Sequence, residues 1–165
     1  IFGVTGGVME AALRTAHYMV TGKEWEHIQF EDVRGLDGVR AADINIEGTE
    51  VRVAIAHNTS NVAKVIDQVK AAQEAGEELP YHFIEVMACR GGCIGGGGQP
   101  YGATDEVRKQ RVAGLYRDDV EHNLRMSHHN PAIKTLYDEF LGEPLSEQSH
   151  SYLHTHYTAR PVYSR

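Results

Sequence analysis

Val51-Arg-Val-Ala-Ile-Ala-His-Asn-Thr-Ser-Asn-Val-Ala-Lys-Val-Ile-Asp-Gln-Val-Lys-Ala-Ala-Gln-Glu-Ala-Gly76, followed by Tyr81-His-Phe-Ile-Glu-Val86, sets the architecture. The first six residues form a nearly continuous apolar run, as an inner strand covered on both faces requires. Thr59 or Ser60 is placed to cap a helix with the apolar stripe Val62, Val65, Ile66, Val69 and Ala72, and Gly76 stops it. Residues 81–86 return to strand. A strand, a helix and a strand make a β-α-β unit, which crosses over right-handed and pairs its strands in parallel. Open α/β sheets place ligands beyond the carboxyl ends of such strands. There the chain reads Glu85-Val-Met-Ala-Cys-Arg-Gly-Gly-Cys-Ile-Gly-Gly-Gly-Gly-Gln-Pro100, which holds both of its cysteines.

Working outward, Val8, Met9, Ala12, Leu13, Ala16, Met19 and Val20 recur at helical spacing, and Gly22 is a plausible stop. Gly3, Gly6 and Gly7 precede this helix, with Thr5 near its N-cap. A glycine-rich turn entering a helix presents free N–H groups at a positive dipole end. Residues His27–Val33 alternate as a strand. Asp43–Glu47 and Val51–Ala56 read as a hairpin about Gly48-Thr49. After Pro100 the pattern turns helical. Thr104 caps a polar helix through about Tyr116. Asn130 and Pro131 sit at N-cap and N1 of another, with Ile133, Leu136, Tyr137 and Phe140 as its apolar face, stopped by Gly142 and Pro144. From Leu145 to Arg165 no period is legible, and His and Tyr are frequent.

The chain has 165 residues, the size of one domain, and 41% hydrophobic residues, enough for a core. The net charge of −7 comes from interspersed acids and bases, with no basic cluster suited to nucleic acid or a membrane surface. No apolar run approaches the length of a membrane span, and no signal peptide is visible.

Cys89 and Cys93, four apart among glycines, suit a soft metal cluster, because thiolates ligate and backbone without Cβ atoms can approach closely. Spacing alone leaves other readings open: a reducible disulfide, two inert thiols, or half of a zinc site. A bridge of this span would staple almost nothing. Gly95 to Gly98 do not form a phosphate loop, since no Lys-Ser/Thr follows. Nor do they form a dinucleotide fingerprint, since they lead to Gln99-Pro100 rather than into a helix. His128-His129 and His154-x-His156 lack matching Cys or carboxylate spacing and read as structural. Glu85 ends an apolar strand and needs a partner if buried. Arg90 either salt-bridges a neighbouring segment or shapes the local field.

The segment Glu85–Pro100 resembles the last cysteine motif of the iron-iron (FeFe) hydrogenases, Glu-x-Met-Ala-Cys-x-x-Gly-Cys-x-x-Gly-Gly-Gly-Gln-Pro, and matches every fixed position. The opening Phe2-Gly-Val-Thr-Gly-Gly-Val-Met-Glu-Ala-Ala-Leu-Arg14 is similar to a segment bordering the same active site in that family. His150-x-x-Leu-His-x-x-Tyr157 is a third, shorter match. The resemblance runs over essentially the whole chain. The family's upstream motifs, Thr-Ser-Cys-Cys-Pro and Met-Pro-Cys, are absent.

The resemblance implies the C-terminal lobe of the catalytic domain, α/β with a mostly parallel sheet flanked by helices and a helical C-terminal extension. Residues 1–144 would form the lobe and 145–165 a wrapping, small-subunit-like tail. It implies an H-cluster, a 4Fe–4S cubane joined to a two-iron subsite with CO, CN and dithiolate ligands. Cys89 would ligate the cubane and Cys93 would bridge cubane and subsite. Met87 would pack its thioether against the subsite, with Phe2 and Gly3 walling the same pocket. The implied reaction is the reversible interconversion of dihydrogen with protons and electrons. With two of four thiolates, the segment would be inactive without the upstream part of the subunit. The implied electron partners are ferredoxin and flavin- and NAD(P)-binding subunits, in the cytoplasm. A non-catalytic iron–sulfur assembly protein of the same superfamily is the alternative.

Overall fold

Strand β2 (Thr49–His57) is the spine of the structure, a computed structural model that describes residues 1–25 and 34–160. Its side chains alternate between two apolar clusters. Val53 and Ile55 point to one face of the sheet and join Met9 and Leu13 of α1 (Gly7–Thr21). Ala54 and Ala56 point to the other and join Val65 of α2 (Thr59–Ala75). All seven of these residues are buried. A fully buried Val, Leu, Ile or Met side chain stabilises by about 1.5–3 kcal/mol. The two alanines on the α2 side let that helix lie close to the strand.

The sheet order is β1-β2-β3, with β1 spanning Val39–Ile46 and β3 spanning Phe83–Met87. The β2–β3 pair is parallel, as the β-α-β pattern requires. β1 pairs antiparallel with β2 in a register that opposes Ile46 to Thr49. Glu47 and Gly48 alone connect them, both at positive φ (49° and 88°), the combination that matches the strand twist in a tight hairpin. The α/β class is therefore as expected. Among the described residues the sheet is mixed rather than mostly parallel, because so short a connection can only reverse direction.

Gly22 and Gly76 end α1 and α2 in the left-handed conformation, at φ 68° and 67°. The cap of α2 differs from expectation. Thr59 is already helical and Asn58 occupies the N-cap, where it accepts from Asn61 N and Val62 N through its carbonyl. The strand anticipated over His27–Val33 lies outside the described residues.

Helix α3 (Asp105–Glu121) is capped by Thr104 Oγ1, which accepts from Val107 N, and runs beyond the expected end at Tyr116. It completes a compact unit spanning Ile1–Met126. The second unit, Ser127–Arg165, contains α4 (Pro131–Leu136), capped by Asn130 Oδ1 with Pro131 in the first turn. The chain winds on through a π-helical turn, Tyr137–Leu141, until Gly142 stops it. Helix α5 (Glu147–Leu153) corrects the reading of the tail as aperiodic. Its signal was Ser146, whose Oγ accepts from Ser149 N at 3.2 Å. Polar residues fill most of α5, so it carries little hydrophobic periodicity. Among the described residues no helix is long and apolar enough to cross a membrane.

Candidate metal centre

Strand β3 delivers the cysteine segment to the carboxyl edge of the sheet, where Met87 pairs with His57. Cys89 and Cys93 follow on an irregular loop, and both are free thiols exposed to solvent. The disulfide reading is thereby set aside. Between them Gly91 and Gly92 are buried. Gly92 N donates to Cys89 O, and Gly96 N donates to Cys93 O, the latter closing a single 3₁₀ turn over Cys93–Gly95.

The opening segment of the chain is bonded directly to this loop. Thr5 N donates to Gly91 O at 3.0 Å, and Ile94 N donates to Gly3 O at 3.1 Å. A Cβ built on Gly3 would lie 3.9 Å from Cys93 Cβ. The structure thus brings Gly3, Met87, Cys89 and Cys93 into one neighbourhood. Phe2, next to Gly3, is 58% exposed. The two segments matched by resemblance, far apart in sequence, are hydrogen-bonded partners.

Glycine is required at Gly92, where φ is 92° and a Cβ would stand 2.7 Å from Met87 Sδ and 2.8 Å from Thr5 N. At Gly95 a Cβ would overlap Arg90 O at 2.1 Å. A Cβ on Gly96 would sit 3.6 Å from Cys89 Sγ. Gly97 and Gly98 meet nothing within 4 Å. Together with Gln99, Tyr101 and Arg108, the glycines 95–97 line an open cleft of about 360 Å³ that neither cysteine lines.

Glu85 is buried on β3, and its carboxylate is the true cap of α1. Oε1 accepts from Gly6 N at 2.6 Å and Oε2 from Met9 N at 2.7 Å. Gly6 at the N-cap offers no side chain for this role. An anion at a helix N-terminus is stabilised by the orphan N–H groups and the helix dipole. The need for a partner was legible in the sequence. The identity of that partner was not, because it lies 76 and 79 residues away.

Arg90 forms a bidentate ion pair with Asp105 at the start of α3, at 3.0 and 2.6 Å. That bond, joined by Arg108, holds the Asp105 carboxyl down at about 2. Arg111 Nη1 donates to Ile94 O from the same helix. Helix α3 is therefore clamped to the cysteine loop by Arg90 and Arg111, while Arg108 braces Asp105 within the helix.

The residues present fit a cysteine-bound iron–sulfur group in part. Two unpaired thiols stand on a glycine backbone that leaves room beside Cys89, and a Met thioether lies against the loop. Further thiolates have no source in this sequence, which contains two cysteines. Among the described residues neither cysteine belongs to a ready-made cluster of three ligands.

Comparison with known proteins gives the family. The family model for the iron only hydrogenase large subunit, C-terminal domain, matches residues 1–97, and that for the iron hydrogenase small subunit matches residues 105–160. The chain belongs to the iron-only hydrogenase family. It is 50% identical over 161 residues to the NADP-reducing hydrogenase subunit HndD of Solidesulfovibrio fructosivorans, covering 97% of this chain and 26% of that protein. A solved FeFe-hydrogenase from Chlamydomonas reinhardtii superposes with a TM-score of 0.71 at 37% identity, over 98% of this chain and 47% of that one. The cytosolic iron-sulfur assembly component 3 of Rattus norvegicus is 29% identical over 95% of this chain and 32% of its own length. The chain thus spans about a quarter to a third of these curated relatives.

Proposed function

We propose that this chain is the C-terminal lobe of an FeFe-hydrogenase catalytic domain that interconverts dihydrogen with protons and electrons. In this reading Cys89 and Cys93 would be the thiolates that hold an H-cluster, Cys89 on its 4Fe–4S cubane and Cys93 where cubane and two-iron subsite, with its CO, CN and dithiolate ligands, would join. Met87, Phe2 and Gly3 form its apolar wall. When bound, the group supplies the redox chemistry and the open site for hydrogen. The protein's own part is thiolate anchoring and an apolar wall that limits water.

The observation that carries the reading is the pair of free, exposed thiols on a glycine loop hydrogen-bonded to the Gly3–Thr5 segment. The remaining thiolates would come from the upstream part of the same subunit, without which the segment is inactive. Ferredoxin or flavin- and NAD(P)-binding subunits would exchange electrons with it in the cytoplasm.

A second reading, a non-catalytic iron–sulfur assembly protein, is supported by relatives of that name that share almost the whole region. Anaerobic purification of the natural subunit carrying this lobe, with cofactor maturation, separates the two. Hydrogen turnover with infrared bands of iron-bound CO and CN supports the hydrogenase. Iron and sulfide without those bands or turnover support the assembly protein.

A further inference from the structure

His57 closes a ring of hydrogen bonds around the buried side of the cysteine loop. Its ring is fully buried at the carboxyl end of β2. Nδ1 accepts from Gly91 N at 3.0 Å. Nε2 lies 3.2 Å from Leu36 O, which can only accept, so Nε2 carries the proton and the imidazole is neutral. From Gly91 the ring continues through its carbonyl, which accepts from Thr5 N at 3.0 Å. Thr5 O and Oγ1 in turn accept from Arg40 Nη2 at 3.2 and 3.1 Å. Arg40 Nη1 donates to Gly35 O at 2.6 Å, one residue before Leu36. Five segments of the chain meet in this circuit. Gly91 stands between the two thiols, and both its N–H and its C=O are used.

We infer that His57, in its neutral Nε2–H tautomer, is a positioning residue that sets the course of the Cys89–Cys93 loop through Gly91. The inference rests on the reading of that loop as a metal-binding loop, although the hydrogen-bonded ring exists independently of it. Without the acceptor at Nδ1, the buried Gly91 N–H has no partner among the described residues, and leaving a buried donor unpaired is costly. The turn then has to move to recover a bond, and the thiols on either side move with it. Among the described residues no other side chain bonds this N–H. Burial pushes the His57 ring below its ordinary range, and the nearby cations Arg40 and Arg90 act in the same direction, consistent with the neutral form.

The test uses the natural subunit with two variants. His57→Phe keeps the ring shape and removes both nitrogens. His57→Asn keeps an acceptor near the Nδ1 position. Amide hydrogen exchange read by mass spectrometry over residues 88–96 reports the loop, and iron release to a chelator reports the anchors. In His57→Phe, exchange over 88–96 and iron release should both rise about tenfold or more, while exchange in α2 stays unchanged. His57→Asn should recover most of the wild-type protection. Exchange within twofold of wild type in His57→Phe overturns the inference, whatever the iron content. If His57→Phe fails to fold, wild-type protection restored in His57→Asn supports it, and protection lost in a folded His57→Asn overturns it. Loosened exchange in a subunit that binds no iron even as wild type upholds the positioning role and rejects the metal reading.

Discussion

Arg14 and Asp119 are joined by a bidentate pair across 105 residues of chain, Nη1 to Oδ1 and Nη2 to Oδ2, both at 2.9 Å. Their side chains are 5% and 6% exposed. Glu10, fully buried, receives Arg14 at 2.6 Å, Arg34 at 2.8 Å and the Tyr116 hydroxyl at 3.1 Å, and Arg125 completes the set on Asp119. Burial alone would raise the Asp119 carboxyl, yet the bonds from Arg14 and Arg125 hold it below its ordinary value. Burial and the Glu10 charge push the Tyr116 phenol up. The network fastens α3, within the segment that matches a small subunit, to α1, within the segment that matches a large-subunit domain.

Asp119→Ala should therefore be costly. Truncation leaves Arg14 buried with Glu10 as its remaining acidic partner, and breaking a buried pair from one side costs about 3–5 kcal/mol. Urea unfolding of the natural subunit should show a loss in the lower part of that range, because Glu10 stays in place. A loss below about 0.5 kcal/mol, the level of an exposed pair, would contradict the burial of this network.

The glycines of the cysteine loop should divide sharply on substitution. Gly92→Ala forces a Cβ to 2.7 Å from Met87 Sδ at a φ of 92°, whereas Gly97→Ala meets nothing within 4 Å. Gly92→Ala should lower the yield of folded, iron-loaded subunit several-fold, with a stability cost of about 1–3 kcal/mol. Gly97→Ala should leave stability within about 0.5 kcal/mol of wild type. Equal tolerance at both positions, measured by thermal unfolding and iron content, would refute the packing of this loop.

The two cysteines should fail differently. Under the proposed assignment, Cys93→Ala removes the bridge and should abolish the infrared bands of iron-bound CO and CN while leaving some cubane iron. Cys89→Ala should chiefly damage the cubane, read by electron paramagnetic resonance. Intact bands and normal turnover in Cys93→Ala would remove it from the ligand set.

Acid should weaken the fold through His57. Its folded pKa lies below the ordinary 6.5, so the unfolded chain takes up a proton that the folded ring resists. The unfolded state binds more protons below that value, and stability falls as pH drops from about 6.5 towards the folded pKa, by at most about 1.4 kcal/mol per pH unit. Arg40 from β1 and Arg90 from the cysteine loop are the charged groups that act on the ring. In His57→Phe this component should vanish. The difference between wild-type and variant urea midpoints, followed from pH 7.5 downwards at fixed salt, measures it, and a difference independent of pH would disprove the shift.

The β-α-β unit, the glycine stops at Gly22 and Gly76 and the caps at Thr104 and Asn130 were all readable from the amino-acid sequence. Each depends on residues within a turn or two of itself: apolar spacing, a side-chain oxygen two or three residues before an N–H, or a missing Cβ where φ is positive. Cys89 and Cys93 were legible as a candidate thiol pair for a similar reason, since both and the glycines around them lie in one short segment. The polar helix α5 left no such trace, because it carries no strong apolar stripe, and the apolar face that includes Tyr137 and Phe140 gives no sign that the helix widens to a π turn over Tyr137–Leu141. Tertiary structure alone decided what holds the site. His57 merely follows the apolar run of residues 51–56, Glu85 reads as an acid that needs a partner if buried, and Arg90 as a cation that either bridges to a neighbouring segment or shapes the local field. Their partners, Gly91, Gly6 with Met9, and Asp105, are reached only after the strands have paired and the helices have packed. A hydrogen bond between residues tens of positions apart has no periodicity. Its cause is the close approach of two backbones, which exists only in the folded chain.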